Sequence, residues 1–226
     1  GKDFIITLTY DTQNLLKDYL KFFEVNAILE KNKSFENAGC IFCHIITKIY
    51  ENIGEEMDIT HENLQKIEKL IFEGKEKEMV ISLSKVSRII LDFKRIISSH
   101  REVIDIFVPV SESFFGKDFF PYSRGVLNNY YKIKTIIKSN YEFLMELRET
   151  NNSLVGLKQN ETMKIFSILA FFIIPFSLMI AILSIPNAHN SIFGDLLYFG
   201  NIFKFFIFIT FFTICMFSFF KYKKWL

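Results

Sequence analysis

The stretch SILAFFIIPFSLMIAILSIPNAHN, Ser167 to Asn190, decides the architecture of the chain. It lies in a run, 165–194, that contains no Asp, Glu, Lys or Arg, and a second such run covers 205–220. A helix that crosses a bilayer needs about 20 predominantly apolar residues. The sequence therefore predicts two C-terminal membrane spans, 165–186 and 196–220. The alternative, a buried hairpin of a soluble protein, accounts poorly for two uncharged runs joined by a short loop.

The charge distribution excludes several function classes. The chain has 226 residues and a formal net charge of +2, and 23 of its 27 basic and 24 of its 25 acidic residues precede Ile165. That part is therefore nearly neutral, without the clustered Lys and Arg typical of a nucleic-acid surface. We find no catalytic nucleophile, acid–base pair or phosphate loop, so neither an enzyme nor a cofactor is expected.

Basic residues flanking the spans indicate their orientation. The predicted outer loop, 187–195, has no Lys or Arg, whereas Lys158 and Lys164 precede the first span and the tail KYKKWL, 221–226, follows the second. Because cytoplasmic loops carry an excess of Lys and Arg, both termini are expected in the cytoplasm of a multi-pass protein of the cell (inner) membrane.

The N-terminal part, residues 1–120, is expected to form an α/β and helical cytoplasmic domain. DFIITLTYDT, 3–12, is β-branched and apolar and predicts a strand. LLKDYLKFFEV, 15–25, predicts a short amphipathic helix, and NKSFENAG, 32–39, a loop. Helical periodicity then predicts helices over 35–72 and 76–107, separated at EGK.

A connector, 109–125, leads to a very long predicted helix, about 122–186. Its cytoplasmic part lies in the stalk segment, 121–164. At 1.5 Å per residue this helix would be about 95 Å long. Apolar and neutral residues recur along the stalk at alternating steps of four and three, as in a coiled coil. Because the rod is too long for one small domain, we expect it to pack against copies of itself. The seam comprises Val126, Tyr130, Ile133, Ile137, Asn140, Leu144, Leu147, Asn151 and Leu154.

A stripe of mostly small residues runs along the first span at steps of three and four, and we interpret it as the continuation of the seam. Small residues allow close helix approach in lipid. Plain helix packing is therefore one interpretation. The other is a pore, because several copies meeting along this stripe would place the hydroxyls of Ser177 and Ser184 around an axis. The stripe comprises Ser167, Ala170, Ile174, Ser177, Ala181 and Ser184.

The cysteines and one histidine allow structural and chemical interpretations. CIFCH, 40–44, matches a c-type haem attachment pattern and could also supply half of a zinc site. Its place in an apolar helical pattern favours ordinary buried thiols, and no disulfide is expected for Cys215 or the others. His100, on the apolar stripe of its helix, is expected to be a packed core residue.

The order of these features resembles the CorA family of divalent metal ion (magnesium/cobalt) transporters. NETMK, 160–164, is similar to that family's entry into the membrane, and IIPFS, 173–177, to its mid-span proline and hydroxyl. FPYSR, 120–124, resembles the start of its long helix, and KKWL, 223–226, its C-terminal end. The resemblance covers the whole chain, which would begin at the final strand of the family's cytoplasmic sheet and so form a truncated domain.

The resemblance implies a homopentamer in the lipid bilayer with one central pore, through which divalent metal ions pass. Glu149 corresponds to an acidic residue at the cytoplasmic mouth, and apolar rings at Met163, Phe166 and Ile174 would gate by dewetting. The implied pore-lining residues are Asn160, Met163, Phe166, Ala170, Ile174, Ser177 and Ala181.

The chain departs from the family at its selectivity filter and at its regulatory site. The family's Gly-Met-Asn corresponds to Ser184, Ile185 and Pro186, with Asn187 as the nearest amide. A ring of amide side chains, one from each subunit, suits magnesium, because this ion sheds its water reluctantly. The acidic outer loop is replaced by a segment in which Asn187 and Asp195 are the weak candidate metal ligands and His189 could favour zinc. Gly125 stands where the family has a regulatory aspartate.

These observations lead to two functional hypotheses. The first is passive, membrane-potential-driven uptake of divalent cations, with magnesium as the expected ion and cobalt, nickel or zinc as alternatives. The second is a membrane-anchored helical scaffold or regulatory protein that has lost ion transport.

Overall fold

The computed structural model describes residues 1–7, 37–183 and 199–222. Their elements are four α-helices and one short 3-10 helix: α1 (Ala38–Phe72), α2 (Glu76–Phe115), the 3-10 turn Lys117–Phe119, α3 (Phe120–Leu183) and α4 (Phe199–Tyr222). Two compact units divide the chain, one ending at Asn152 and the other beginning at Ser153.

The strand predicted over 3–12 is not found in its described part. Residues 4–7 carry no regular secondary structure, and no strand occurs among the described residues. A strand needs a neighbour to receive its backbone hydrogen bonds. The described chain offers little more here than the Ala38 N–H, which donates to the carbonyl of Lys2 at 2.9 Å. The α/β class is therefore unsupported, and the described fold is helical; residues 8–36, including the predicted helix 15–25, lie outside the description.

Helix α1 confirms the predicted helix 35–72, and its ends have clear local causes. The Asn37 side chain accepts a hydrogen bond from the Cys40 N–H at 3.0 Å, which caps the start. At the other end Gly74 adopts φ 93°, where glycine is favoured, and the Lys75 N–H donates to the carbonyl of Leu70. The predicted break at EGK is thus confirmed.

Helix α2 is longer than predicted because it continues through Pro109 to Phe115. Proline removes one backbone hydrogen bond from a helix. Packing of the following turns offsets that loss: the Phe107 ring lies 5.6 Å from that of Phe42 on α1, and Phe115 meets the backbone at Gly39. The predicted connector therefore shrinks from 109–125 to the four residues that begin with Gly116, whose φ is 101°.

Helix α3 confirms the long predicted helix as one element of 64 residues with Pro175 inside it. It begins two residues before the predicted start, with Pro121 in the first turn, where its missing N–H costs nothing. The predicted end, 184–186, lies outside the described residues. Helix α4 overlaps most of the second predicted span, whose first residues, 196–198, are also outside the description.

Candidate functional site

The first half of α3 is held by its own chain. All eight seam residues from Val126 to Asn151 are buried, and α1 and α2 supply their neighbours. The Tyr130 ring lies 6.3 Å from that of Tyr50, and a methyl placed on Gly54 would lie 3.1 Å from Ile133. The seam was predicted to meet other copies; for this half that prediction is wrong, because periodicity shows that a face is buried but not which helix covers it.

Polar contacts fix the position of α3 along the axes of α1 and α2. The Asn140 side chain is buried, and its Nδ2 donates to the carbonyl of Met57 at 2.7 Å. Its Oδ1 therefore faces Nδ1 of His61, at 3.0 Å, so that His61 Nδ1 is the donor. On the other side, the Lys94 ammonium lies 3.9 Å from the centre of the Tyr141 ring. The Tyr50–Tyr130 and Met57–Asn140 contacts follow the same order along α1 and α3, so these helices are parallel. The Phe42–Phe107 and Tyr50–His100 contacts follow opposite orders along α1 and α2, so α2 is antiparallel to them.

The buried thiols and rings show packing rather than reactive chemistry. Cys40 and Cys43 are both buried, as expected for packed thiols, and burial raises the pKa of Cys43 to about 12. His100, predicted to be a packed core residue, is half-buried, with Nδ1 3.2 Å from the Tyr50 hydroxyl. Burial, and to a smaller extent the neighbouring Tyr130, raises the pKa of Tyr50 to about 12. Within the described ranges no group of three or more His, Cys, Asp or Glu could hold a metal ion.

The second half of α3 has one covered face, and the predicted small stripe is not on it. In the described part of the first span only Ile168, Phe172 and Pro175 are half-buried. If the repeat of the seam is extended beyond Leu154 in alternating steps of four and three residues, it includes these three residues. Ser167, Ala170, Ile174, Ser177 and Ala181 fall one or two places earlier and are exposed. The interpretation of the stripe as a continuation of the seam is therefore wrong: the spacing matches, but the position around the helix differs.

The predicted pore positions all lie on exposed parts of α3 within the second unit. Met163, Phe166 and Ile174 are 64%, 62% and 63% exposed. The Ser167 hydroxyl donates to the carbonyl of Met163 at 2.9 Å, so that its polar group is satisfied within the helix. The remaining members, Asn160, Ala170, Ser177 and Ala181, are also exposed. No part of the described chain therefore covers these seven residues.

Glu149 belongs to an exposed acidic face of the first unit. Glu142, Glu146 and Glu149 follow one another at steps of four and three, and all are exposed. Glu142 pairs with Lys138 at 3.6 Å, a weak surface ion pair. Glu149 precedes Met163, Ala170 and Ser177 by multiples of seven residues. Sequence reasoning predicted only Glu149; the spacing of the two preceding glutamates was the signal for including them.

The selectivity-filter positions and the weak metal ligands are not described. Ser184, Ile185, Pro186 and Asn187, together with Asp195, lie between Leu183 and Phe199. Their roles remain predictions from the sequence.

One described helix is long and apolar enough to cross a membrane, and the apolar window of this helix, α3, is open to its surroundings. In α4 the described apolar stretch is Phe206–Cys215, which is shorter than a span. By length and composition, α3 is thus compatible with one membrane span among the described residues.

Comparison with known families identifies the kind of membrane protein. The family described as CorA-like Mg²⁺ transporter protein matches residues 1–223, and the chain belongs to this family. A search of the curated proteins found no match. The family comprises oligomeric membrane channels and transporters for divalent cations, which are not enzymes.

Proposed function

We propose that this chain forms a homopentameric channel for passive uptake of divalent cations, with magnesium as the first candidate ion. The observation that carries the proposal is the exposed stripe of α3. Its small and hydroxyl-bearing residues, among them Ala170 and Ser177, lie off the face that the chain covers, in a helix of a cation-transporter family. Five copies around one axis would line a pore with Asn160, Met163, Phe166, Ala170, Ile174, Ser177 and Ala181.

The stripe suits an ion that keeps its water. Magnesium dehydrates reluctantly, so amide and hydroxyl oxygens at Asn160 and Ser177 contact its hydration shell rather than the ion. Rings at Met163, Phe166 and Ile174 close the path by excluding water when the helices approach. The rings of weakly polar side chains, at Asn160 and Ser177, also bind ions loosely enough to release them.

In the proposed channel, charged residues and the membrane potential favour the movement of cations into the cell. The acidic face with Glu149 attracts cations at the cytoplasmic mouth, and Asn187 of the altered filter and Asp195 are the candidate ligands on the other side. With both termini in the cytoplasm of the cell (inner) membrane, a potential of 100 mV, negative inside, contributes about 4.6 kcal/mol to the entry of a divalent ion. No ATP-dependent step is required.

The decisive experiment is metal flux into liposomes that contain the purified full chain. Ser177→Leu and Asn160→Leu place bulky apolar groups on the stripe and should reduce the initial rate by about tenfold or more, because each ring then excludes water. Leu169→Ile, at an exposed position away from the stripe, is the matched control and should retain the parent rate. Equal rates in all four proteins would refute the assignment of the pore.

A second function, a membrane-anchored helical scaffold, is favoured by one observation. Ser184, Ile185 and Pro186 replace the filter motif to which the family's selectivity was ascribed. Absence of flux for magnesium, cobalt, nickel and zinc in a correctly inserted oligomer would establish this function instead. A competition series among the same ions identifies the preferred one if flux is present.

A further inference from the structure

The bundle formed by α1, α2 and the first half of α3 carries opposite charges on two of its sides. Each of α1 and α2 has a strip of exposed charged residues beside its contacts with α3. The strip on α1 is acidic and is called the acidic flank, and the strip on α2 is basic and is called the basic flank. The acidic flank comprises Glu51, Glu55, Asp58 and Glu62, and the basic flank comprises Arg88, Lys94, Arg95 and Arg101.

The two flanks lie on opposite sides of α3. Gly54 and His61 of α1 face α3, where His61 contacts Asn140, and every residue of the acidic flank lies within one turn of these two. On α2, Lys94 of the basic flank reaches α3 at Tyr141. Because α1 and α2 also contact each other, the three helices form a triangle in cross-section. Each flank therefore opens to one side of α3.

The two flanks also have the same height along α3. Asp58 follows the residue whose carbonyl binds the side chain of Asn140. Arg95 follows the lysine whose ammonium lies over the ring of Tyr141. Asn140 and Tyr141 are consecutive, so Asp58 and Arg95 are level with each other on the two sides of the bundle.

The charges match above and below this level as well. Because α1 and α2 are antiparallel, Glu51 and Arg101 lie in the same direction from it, about 10 Å and 9 Å along the helix axes. Glu62 and Arg88 lie in the other direction, about 6 Å and 10 Å away. At each of three levels an acidic residue thus has a basic counterpart within one helical turn.

In the described chain, the two flanks do not pair with each other. The ion pairs of their residues join neighbours on the same helix, namely Glu51 with Lys48 at 3.0 Å, Arg95 with Asp92 at 3.3 Å and Arg101 with Asp105 at 3.6 Å. Exposed pairs of this kind contribute little to the stability of a fold. The complementary charges of the flanks therefore remain available to a second molecule.

We propose that the acidic flank of one copy docks on the basic flank of the next copy. A contact between two different surfaces of the same chain closes into a ring when the rotation between copies fits. With α3 toward the axis, the flanks face the two neighbours, and rotation about an axis along α3 leaves heights unchanged. Acidic and basic residues then meet level by level, which sets the register and speeds association. The inference rests on the ring of copies in the proposed function but not on ion transport.

Cysteine cross-linking of the full chain, reconstituted in lipid nanodiscs, tests the proposal. In a Cys215→Ser background, the pair Asp58→Cys and Arg95→Cys should react with a short bis-maleimide to give a ladder of covalent oligomers. The reaction should be at least about tenfold faster than for Asp58→Cys with Ile96→Cys, because docking raises the effective concentration. Ile96 is also exposed but lies on the other side of α2, one turn before His100, which contacts α1.

The other outcomes contradict the proposal in distinguishable ways. Equal rates for the two pairs, or no product from either, mean that the flanks do not meet. A product from Asp58→Cys alone means that two acidic flanks meet instead. The native mass separates this failure from that of the proposed function: five copies without the Asp58–Arg95 product contradict only the docking, whereas a monomer contradicts both. A ladder without ion flux contradicts only transport.

Charge reversal at another level gives an independent measurement. Glu62→Arg and Arg88→Glu each bring like charges together. Each should raise the concentration at which the detergent-solubilised oligomer dissociates by about tenfold, and the double variant should restore the parent value. Dissociation of the double variant at the same concentration as the single variants would overturn the pairing, since a general loss of stability is not reversed by a second substitution.

Discussion

At the scale of single residues, Asn140 and Asn151 both lie on the buried seam but differ in their partners. Asn140 uses both ends of its amide, toward Met57 and His61. The Oδ1 of Asn151 is buried without a hydrogen-bond partner in the described part of the chain. Burying a polar atom stabilises a fold only when its hydrogen bonds are restored.

Leucine at these two positions should therefore have opposite effects. Asn140→Leu leaves His61 without its acceptor and should lower the free energy of unfolding of the helical bundle by about 1–3 kcal/mol. Asn151→Leu removes an unpaired oxygen and should be neutral or stabilising, within about 1 kcal/mol. Urea titration followed by circular dichroism measures both, and a loss of equal size in both variants would contradict the argument.

Stability should also fall at alkaline pH. Burial raises the pKa of Cys43 from 9.0 and of Tyr50 from 10.0, in both cases to about 12. Above about pH 9 the unfolded chain therefore loses these protons before the folded chain does, so the free energy of unfolding decreases as the pH rises toward 12. Tyr50→Phe should flatten this dependence, because it removes one of the two groups whose pKa burial raises. An unchanged pH slope in Tyr50→Phe would exclude this contribution.

At the scale of elements, close approach at Gly39 joins the start of α1 to the end of α2. A methyl group there would lie 2.7 Å from the Phe115 ring and 2.8 Å from that of Phe119. Gly39→Ala should therefore cost about 1–3 kcal/mol of stability through overpacking. Gly125→Ala meets nothing within 4 Å and should gain about 0.5–1 kcal/mol from helix propensity. The midpoint of thermal unfolding should fall in Gly39→Ala and rise in Gly125→Ala. A shift in the same direction in both variants would contradict the prediction.

The elements also show where sequence reasoning succeeds and where it stops. Periodicity located α1, α2 and the long α3, because a buried face repeats every three or four residues whatever covers it. The extension of α2 past Pro109 depended on rings of α1, and the partners of the seam depended on tertiary packing, which spacing does not specify. The stripe of small residues had the expected spacing, but only the partial burial of Ile168, Phe172 and Pro175 showed that it lies on another face.

At the scale of the whole molecule, the proposed channel predicts a definite assembly and a voltage dependence. The native mass in nanodiscs, after subtraction of lipid and scaffold, should be five times 26.7 kDa. Ion entry should increase with an inside-negative potential set by a potassium gradient and valinomycin, since each positive charge gains about 2.3 kcal/mol per 100 mV. A monomer, or flux that is indifferent to the potential, would contradict the proposed function.

The burial of the stalk seam against α1 and α2 has a consequence for biogenesis. Both partner helices precede α3 in the chain, so the ribosome has released them by the time that the first apolar segment is synthesised. Domains generally fold as units during synthesis, from the N-terminal side. Each protomer can thus complete its bundle before it meets another, and oligomerisation joins prefolded parts instead of driving their folding.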